Sequence, residues 1–108
     1  VPHARDLLLR QEVDCKPFRD FTLWSQHLVL HTRESLSRLI GAAGFSVILV
    51  EGVQRYQLSN HLRWLTEGRP GGHSAAIGQL DTDGLQAEYE KALAKIDATD
   101  TLVALAVK

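Results

Sequence analysis

His27 and His31 stand four residues apart in His27-Leu28-Val29-Leu30-His31, a spacing that on a helix puts both imidazoles on one face, where a zinc ion can be held. The segment lacks the glutamate that a zinc peptidase carries beside its first ligand, and no third ligand suggests itself. Two histidines satisfied by hydrogen bonds are therefore the plainer reading, and no metal site is assigned. His27 also closes an aromatic stretch, Phe21-Thr22-Leu23-Trp24-Ser25-Gln26-His27, able to wall a pocket. Imidazole titrates near neutrality and accepts a proton from a hydroxyl or a carbon, so His27 is a candidate general base, with a structural histidine as the competing reading.

A second cluster, Gln54-Arg55-Tyr56-Gln57-Leu58-Ser59-Asn60-His61, gathers amide, guanidinium, phenol, hydroxyl and imidazole directly after a strand-like run. Polar groups at a strand end are placed to meet a ligand at the edge of an α/β sheet. A helix start capped by Ser59 or Asn60, with Arg55 and Tyr56 lying over the core edge, accounts for the same residues. Gly68-Arg69-Pro70-Gly71-Gly72-His73 matches neither phosphate-binding glycine pattern and reads as a tight turn. Cys15, beside Lys16, has no base to activate it and reads as a bystander. Asp97-Ala98-Thr99-Asp100-Thr101 reads as a turn with side-chain capping.

These groups need elements to position them. Ala4, Leu7, Leu8, Leu9 and Val13 suggest a short amphipathic helix from His3 to about Val13, and Asp14 to Pro17 breaks it. Phe18 to Trp24 has no clean period. Thr32 as N-cap, Glu34 in the first turn and Leu36, Leu39, Ile40 and Ala43 predict a helix that Gly44 stops as a left-handed cap. Phe45 to Val50 reads as a strand covered on both faces, extendable through Val53 to Arg55. Leu58, Leu62 and Leu65 form one helical stripe that ends at Gly68. After a turn over Asp81 to Gly84, Leu85, Tyr89, Ala92, Leu93 and Ile96 share a helix face, and Thr101 to Val107 is a second buried strand. Periodicity leaves parallel and antiparallel pairing of the two strands open. Two strands of core composition make a marginal sheet, so they call for a wider one, supplied by further chain or by a partner.

Composition bounds the rest. With 108 residues, 44% hydrophobic and 23% charged, the chain fits one domain of ordinary globular character. Twelve Lys and Arg against thirteen Asp and Glu give a net charge of −1, which argues against a general nucleic-acid binder. The longest apolar run, Leu102 to Val107, is far short of the ~20 residues of a membrane span. A single cysteine rules out an internal disulfide and points to the reducing cytoplasm. The opening residues have neither a secretion-signal pattern nor an initiator methionine, so the chain reads as cut from something longer.

The order of several segments carries a resemblance. Val1-Pro2-His3-Ala4-Arg5-Asp6, Phe18-Arg19-Asp20-Phe21, Trp24-Ser25-Gln26-His27-Leu28, Ala43-Gly44-Phe45, Gln54-Arg55-Tyr56, Ser59-Asn60-His61, Pro70-Gly71-Gly72-His73 and Thr99-Asp100-Thr101 resemble the C-terminal half of class I S-adenosylmethionine-dependent methyltransferases, in the branch acting on small molecules and sugars. The resemblance spans nearly the whole chain. It implies an α/β, partial Rossmann-like methyltransferase fold, in which Phe45 to about Gln54 and Thr101 to Val107 are the sixth and seventh strands, paired antiparallel across a long helical excursion. The chain then starts at the end of the fifth strand.

The same resemblance implies His27 as general base and Trp24, Arg55, Tyr56, Asn60 and His61 around a small-molecule acceptor. Gln26 precedes His27 where relatives often carry an acid. The glycine-rich turn and ribose-binding acid of the donor half do not occur here, so S-adenosylmethionine serves the full-length parent and is not expected to bind this chain tightly. The expected partners are the acceptor and the missing N-terminal half, or a second copy through exposed strand edges. The competing function is a catalytically silent module that completes a partner's sheet.

Overall fold

A computed structural model describes residues 1–24 and 29–108, with Trp24 described in its backbone alone. Its elements are α1 (Lys16–Trp24), α2 (Arg33–Ala42), β1 (Ser46–Val53), α3 (Leu58–Glu67), α4 (Asp83–Lys95) and β2 (Thr101–Val107). The fold is mixed α/β, four helices with a two-stranded antiparallel sheet. Its radius of gyration, 14.9 Å, exceeds the ~13 Å of a compact domain of this length.

β1 and β2 pair from Ser46↔Val107 to Val53↔Thr101, with an irregularity between Val47 and Leu49 that takes up Ile48. Pairing across an antiparallel ladder puts opposed residues on the same face. Val50, Gly52, Leu102 and Ala104 face α2. Arg33 of that helix donates to the Val50 carbonyl at 2.6 Å, and its Nη2 lies 3.1 Å from where a Gly52 Cβ would stand. The other face carries Leu49 at 46%, Val103 at 51% and Leu105 at 55% exposure, with Glu51 among them. The expectation of strands covered on both faces is thus corrected: among the described residues, one face is covered.

α2 follows its sequence signals. Thr32 accepts from the Ser35 amide while Ser35 Oγ accepts from the Thr32 amide, and Gly44 leaves the helix at φ 91°, a left-handed geometry that costs glycine nothing.

Residues 3–13 are not the expected helix. Val1 to His3 are extended and spend their backbone groups elsewhere, as does Ala4: His3 N donates to Asp100 O, Ala4 N to His31 O, and Pro2 bridges Thr101 in the antiparallel sense. Leu7–Leu9 form a single 3-10 turn capped by Asp6, with further turns at Ala4–Arg5 and Gln11–Val13 but no continuous helix, because backbone groups given to neighbours cannot close helical bonds.

Pro17 does not interrupt structure either. It stands in the first turn of α1, where its missing N–H is one that no helix uses, and the segment without a clean period is helical through Trp24. Phe18 and Phe21 pack on Trp64 with ring centroids 5.2 and 5.1 Å away, beside a small core of Leu8, Cys15 and Trp64.

α3 also departs from its leucine stripe. It buries Ser59, Asn60, His61 and Trp64, while Leu65 is 49% exposed. Neither Ser59 nor Asn60 caps it. Gln57 holds that position without a side-chain bond, and the first amides are met from outside the helix, Leu58 N by Gln86 Oε1 and Ser59 N by Asp81 Oδ1. In α4 only Leu93 of the expected face is buried, while Leu85 and Ile96 are exposed. Among the described residues no helix is long and apolar enough to cross a membrane.

Candidate functional site

The polar groups converge where β1 ends and β2 begins. Asp100 stands in the turn before β2, and its carboxylate collects donors from the end of β1. Oδ1 accepts from the Arg55 amide and Thr101 Oγ1, and Oδ2 accepts from the Tyr56 amide and Gln54 Nε2, all within 2.8–3.0 Å. Gln54 is 8% exposed and reciprocates, its Oε1 accepting from the Asp100 amide at 3.0 Å. Chain that follows a strand without continuing it leaves backbone N–H groups to be met by side chains, and a short carboxylate in the facing turn meets them.

Gln54 orients His61. Only the amide oxygen can accept from the Asp100 N–H, so Nε2 of Gln54 donates its two protons to the Tyr56 carbonyl and Asp100 Oδ2, both at 2.9 Å, and also faces His61 Nε2, 3.2 Å away. An amide nitrogen cannot accept, so the ring nitrogen opposite it is best unprotonated, which leaves the imidazole proton on Nδ1 to donate to the Tyr89 hydroxyl at 2.5 Å. Burial lowers the His61 pKa against the opposing charge of Asp100, keeping the ring neutral at pH 7. Burial and the charge of Asp6 push the Tyr89 phenol up to about 12. The arrangement locks Gln54 between Asp100 and the Tyr56 carbonyl, sets His61 against its amide nitrogen, and lets His61 hold a neutral phenol.

Asp6 is a further buried acid. It is 4% exposed, its Oδ1 accepts from the Leu8 amide, and burial with the Asp100 charge pushes it up to about 7. Beside Asp100 a cavity of about 140 Å³ opens between Val1 and Pro2 on one side and Arg55 and Thr101 on the other. Arg55 is exposed at its rim, with its guanidinium 5.9 Å from the Tyr56 ring centroid.

A second polar centre lies behind this one. His3 is buried, with Nδ1 donating to the Thr99 carbonyl at 2.8 Å and Nε2 without a hydrogen bond, 3.5 Å from Asp97 Oδ1. Arg33 donates to the same oxygen at 2.8 Å. Burial lowers the His3 pKa despite the Thr99 bond and the Asp97 charge, so its lone pair faces a carboxylate that Arg33 neutralises.

The residues singled out in the sequence therefore divide. Arg55, Tyr56 and His61 come together around Asp100. Asn60 points elsewhere, its Oδ1 accepting from the Gly71 amide at 3.0 Å. His27 lies outside the described residues, as does the side chain of Trp24. His31 is in an extended bridge to His3, not on a helix, with Nδ1 3.3 Å from Ser35 Oγ. No group of three or more potential metal ligands occurs among the described residues.

Sequence reasoning passed over Asp6, Tyr89, His3 and Asp100 as site residues, reading the last as turn capping. One signal was available for Asp100: an acidic turn leading into one apolar strand pairs naturally with the polar segment that leaves the other. Comparison with protein-family models, with curated proteins and with solved structures returned no match.

Proposed function

We propose that the chain is the acceptor-side portion of a class I S-adenosylmethionine-dependent methyltransferase acting on a small molecule, with a Rossmann-like sheet completed by a donor half upstream of Val1. The observation that carries this reading is the pairing at β2. The strand runs antiparallel to β1 across the long excursion through α3 and α4, and Val1 and Pro2 lie antiparallel along the start of its other edge. A chain entering from a neighbouring strand of the same sheet would lie there. The bare face of Leu49, Val53, Val103 and Leu105 fits a sheet that further chain is meant to cover.

In this reading Arg55, Tyr56 and His61 line the acceptor side. The protein's work is to align the acceptor with the sulfonium methyl and to remove a proton, because displacement at a methyl carbon is mainly a matter of positioning. The proton acceptor is His27. Joined to its donor half, the protein should release S-adenosylhomocysteine in the presence of a small acceptor, and His27→Ala should cut turnover while leaving donor affinity unchanged. Unchanged turnover removes His27 from the mechanism, and micromolar S-adenosylmethionine binding by the 108 residues alone contradicts a missing donor site. The second reading, a silent module that completes a partner's sheet, draws on the same free strand edges and predicts no methyl transfer with any donor half.

A further inference from the structure

α3 carries polar groups on two faces. His61 lies on one, and Arg63, Thr66 and Glu67, at i, i+3 and i+4, lie on the opposite one. The loop after the helix folds back onto this second face. Asn60 Oδ1 accepts from the Gly71 amide at 3.0 Å and Arg63 Nη1 donates to the Gly71 carbonyl at 2.9 Å, so α3 holds both backbone groups of one loop residue. Gly72 packs against the Ser59 carbonyl with no room for a side chain. Ala75, Ala76 and Ile77 are thereby set opposite the helix, and a cavity of about 220 Å³ remains between them and Arg63, Thr66 and Glu67.

The loop wall is apolar, and the helix wall has one donor to spare. Thr66 gives its hydroxyl proton to the Leu62 carbonyl at 2.8 Å, and the Glu67 carboxylate only accepts. Arg63 Nε donates to Glu67 Oε2 at 2.6 Å and Nη1 to Gly71, whereas Nη2 makes no hydrogen bond among the described residues. Arg69 Nε reaches the same Glu67 oxygen at 3.4 Å, and neither arginine has a second carboxylate within ion-pair distance among the described residues. Two guanidinium charges therefore share one carboxylate, and one positive charge is left over.

We propose that this cavity binds a small monocarboxylate with a compact apolar body, its carboxylate on Arg63 Nη2 and its body against Ala75, Ala76 and Ile77. An apolar cavity of roughly 150 Å³ takes a benzene ring, so about 220 Å³ admits a ring or a short chain together with its charged group. The loop is already held by α3, which leaves the ligand little ordering to bring about. The site lies across α3 from His61 and does not depend on methyl transfer.

Amide spectra of the 108-residue chain titrated with sodium benzoate, against sodium chloride at equal ionic strength, read the site. Saturable shifts at Thr66 and Ala76 are expected, with a Kd on the order of 1 mM. Benzyl alcohol, of similar size but uncharged, should bind at least about tenfold more weakly. Ala76→Leu, at an exposed position, fills the cavity and should abolish the shifts. Shifts that fail to saturate by roughly 20 mM benzoate, well above the expected Kd, overturn the proposal. Equal binding of benzyl alcohol, which needs no variant, or unchanged benzoate binding by Ala76→Leu overturns it as well.

Discussion

His61 Nδ1 and the Tyr89 hydroxyl are 2.5 Å apart, joining α3 to α4 through the polar end of a residue on α4's apolar face. Their rings meet edge to face, with centroids 5.5 Å apart. Tyr89→Phe keeps the ring contact and strands the imidazole donor in a buried site, so it should destabilise the fold by about 1–3 kcal/mol in urea unfolding. Loss of less than about 0.5 kcal/mol would mean that the bond contributes nothing net.

The same geometry makes a spectroscopic prediction. With the Gln54 amide nitrogen facing Nε2, nitrogen-15 spectra at pH 7 should show His61 with its proton on Nδ1. A proton on Nε2 would refute this arrangement of Gln54, His61 and Tyr89.

Acid should weaken the fold through His3 and His61. Both have folded-state pKa values lowered by burial, so each contributes stability that is complete above its unfolded value near 6.5 and is lost as pH falls through the folded one. Asp6 works in the opposite sense. Its folded value is raised from 3.8 to about 7, so its contribution is complete below 3.8 and declines as pH rises through about 7, by up to about 4 kcal/mol. Asp6→Asn should therefore gain on the parent protein as pH rises between those values, measured as the difference in unfolding free energy. A difference that stays flat over that span counts against the buried acid.

Two glycine substitutions should have opposite signs. A Cβ on Gly72 would stand 1.9 Å from the Ser59 carbonyl oxygen, a backbone atom that cannot step aside, so Gly72→Ala should cost at least about 2 kcal/mol. A Cβ on Gly41, inside α2, meets nothing within 4 Å, so Gly41→Ala should stabilise by about 0.5–1 kcal/mol. Thermal denaturation of the two variants side by side reads both.

The bare sheet face should tolerate charge that its neighbours do not. Leu105→Lys, at a 55% exposed site, should change stability by less than about 0.5 kcal/mol, whereas Leu102→Ala, at 1%, should cost about 2–5 kcal/mol. A large loss from Leu105→Lys would show that the face is covered in solution.

Local signals carried much of the secondary structure. Thr32, Glu34 and Gly44 bracket α2 because a cap, a favourable charge and a left-handed residue act within a turn of themselves. Thr101 to Val107 is a strand over the span that its apolar run marks. The antiparallel sense was open to periodicity and followed only from the resemblance. Where local reading failed, distant partners outweighed propensity: residues 1–4 gave their backbone to Asp100 and His31, and α3 turned its polar side inward because Asp81, Gln54 and Tyr89 were there to receive Ser59 and His61.

Composition and pattern by themselves determined an α/β chain with two core-grade strands too few for a sheet of their own, since hydrophobic alternation and cap chemistry are written within a few residues. Only the tertiary structure decided that Gln54, His61, Tyr89 and Asp100 share one hydrogen-bonded cluster. A buried polar group is stable only where partners from remote segments satisfy it, and those partners are chosen by how the chain packs, over separations of up to 46 residues between Gln54 and Asp100, which no local pattern records.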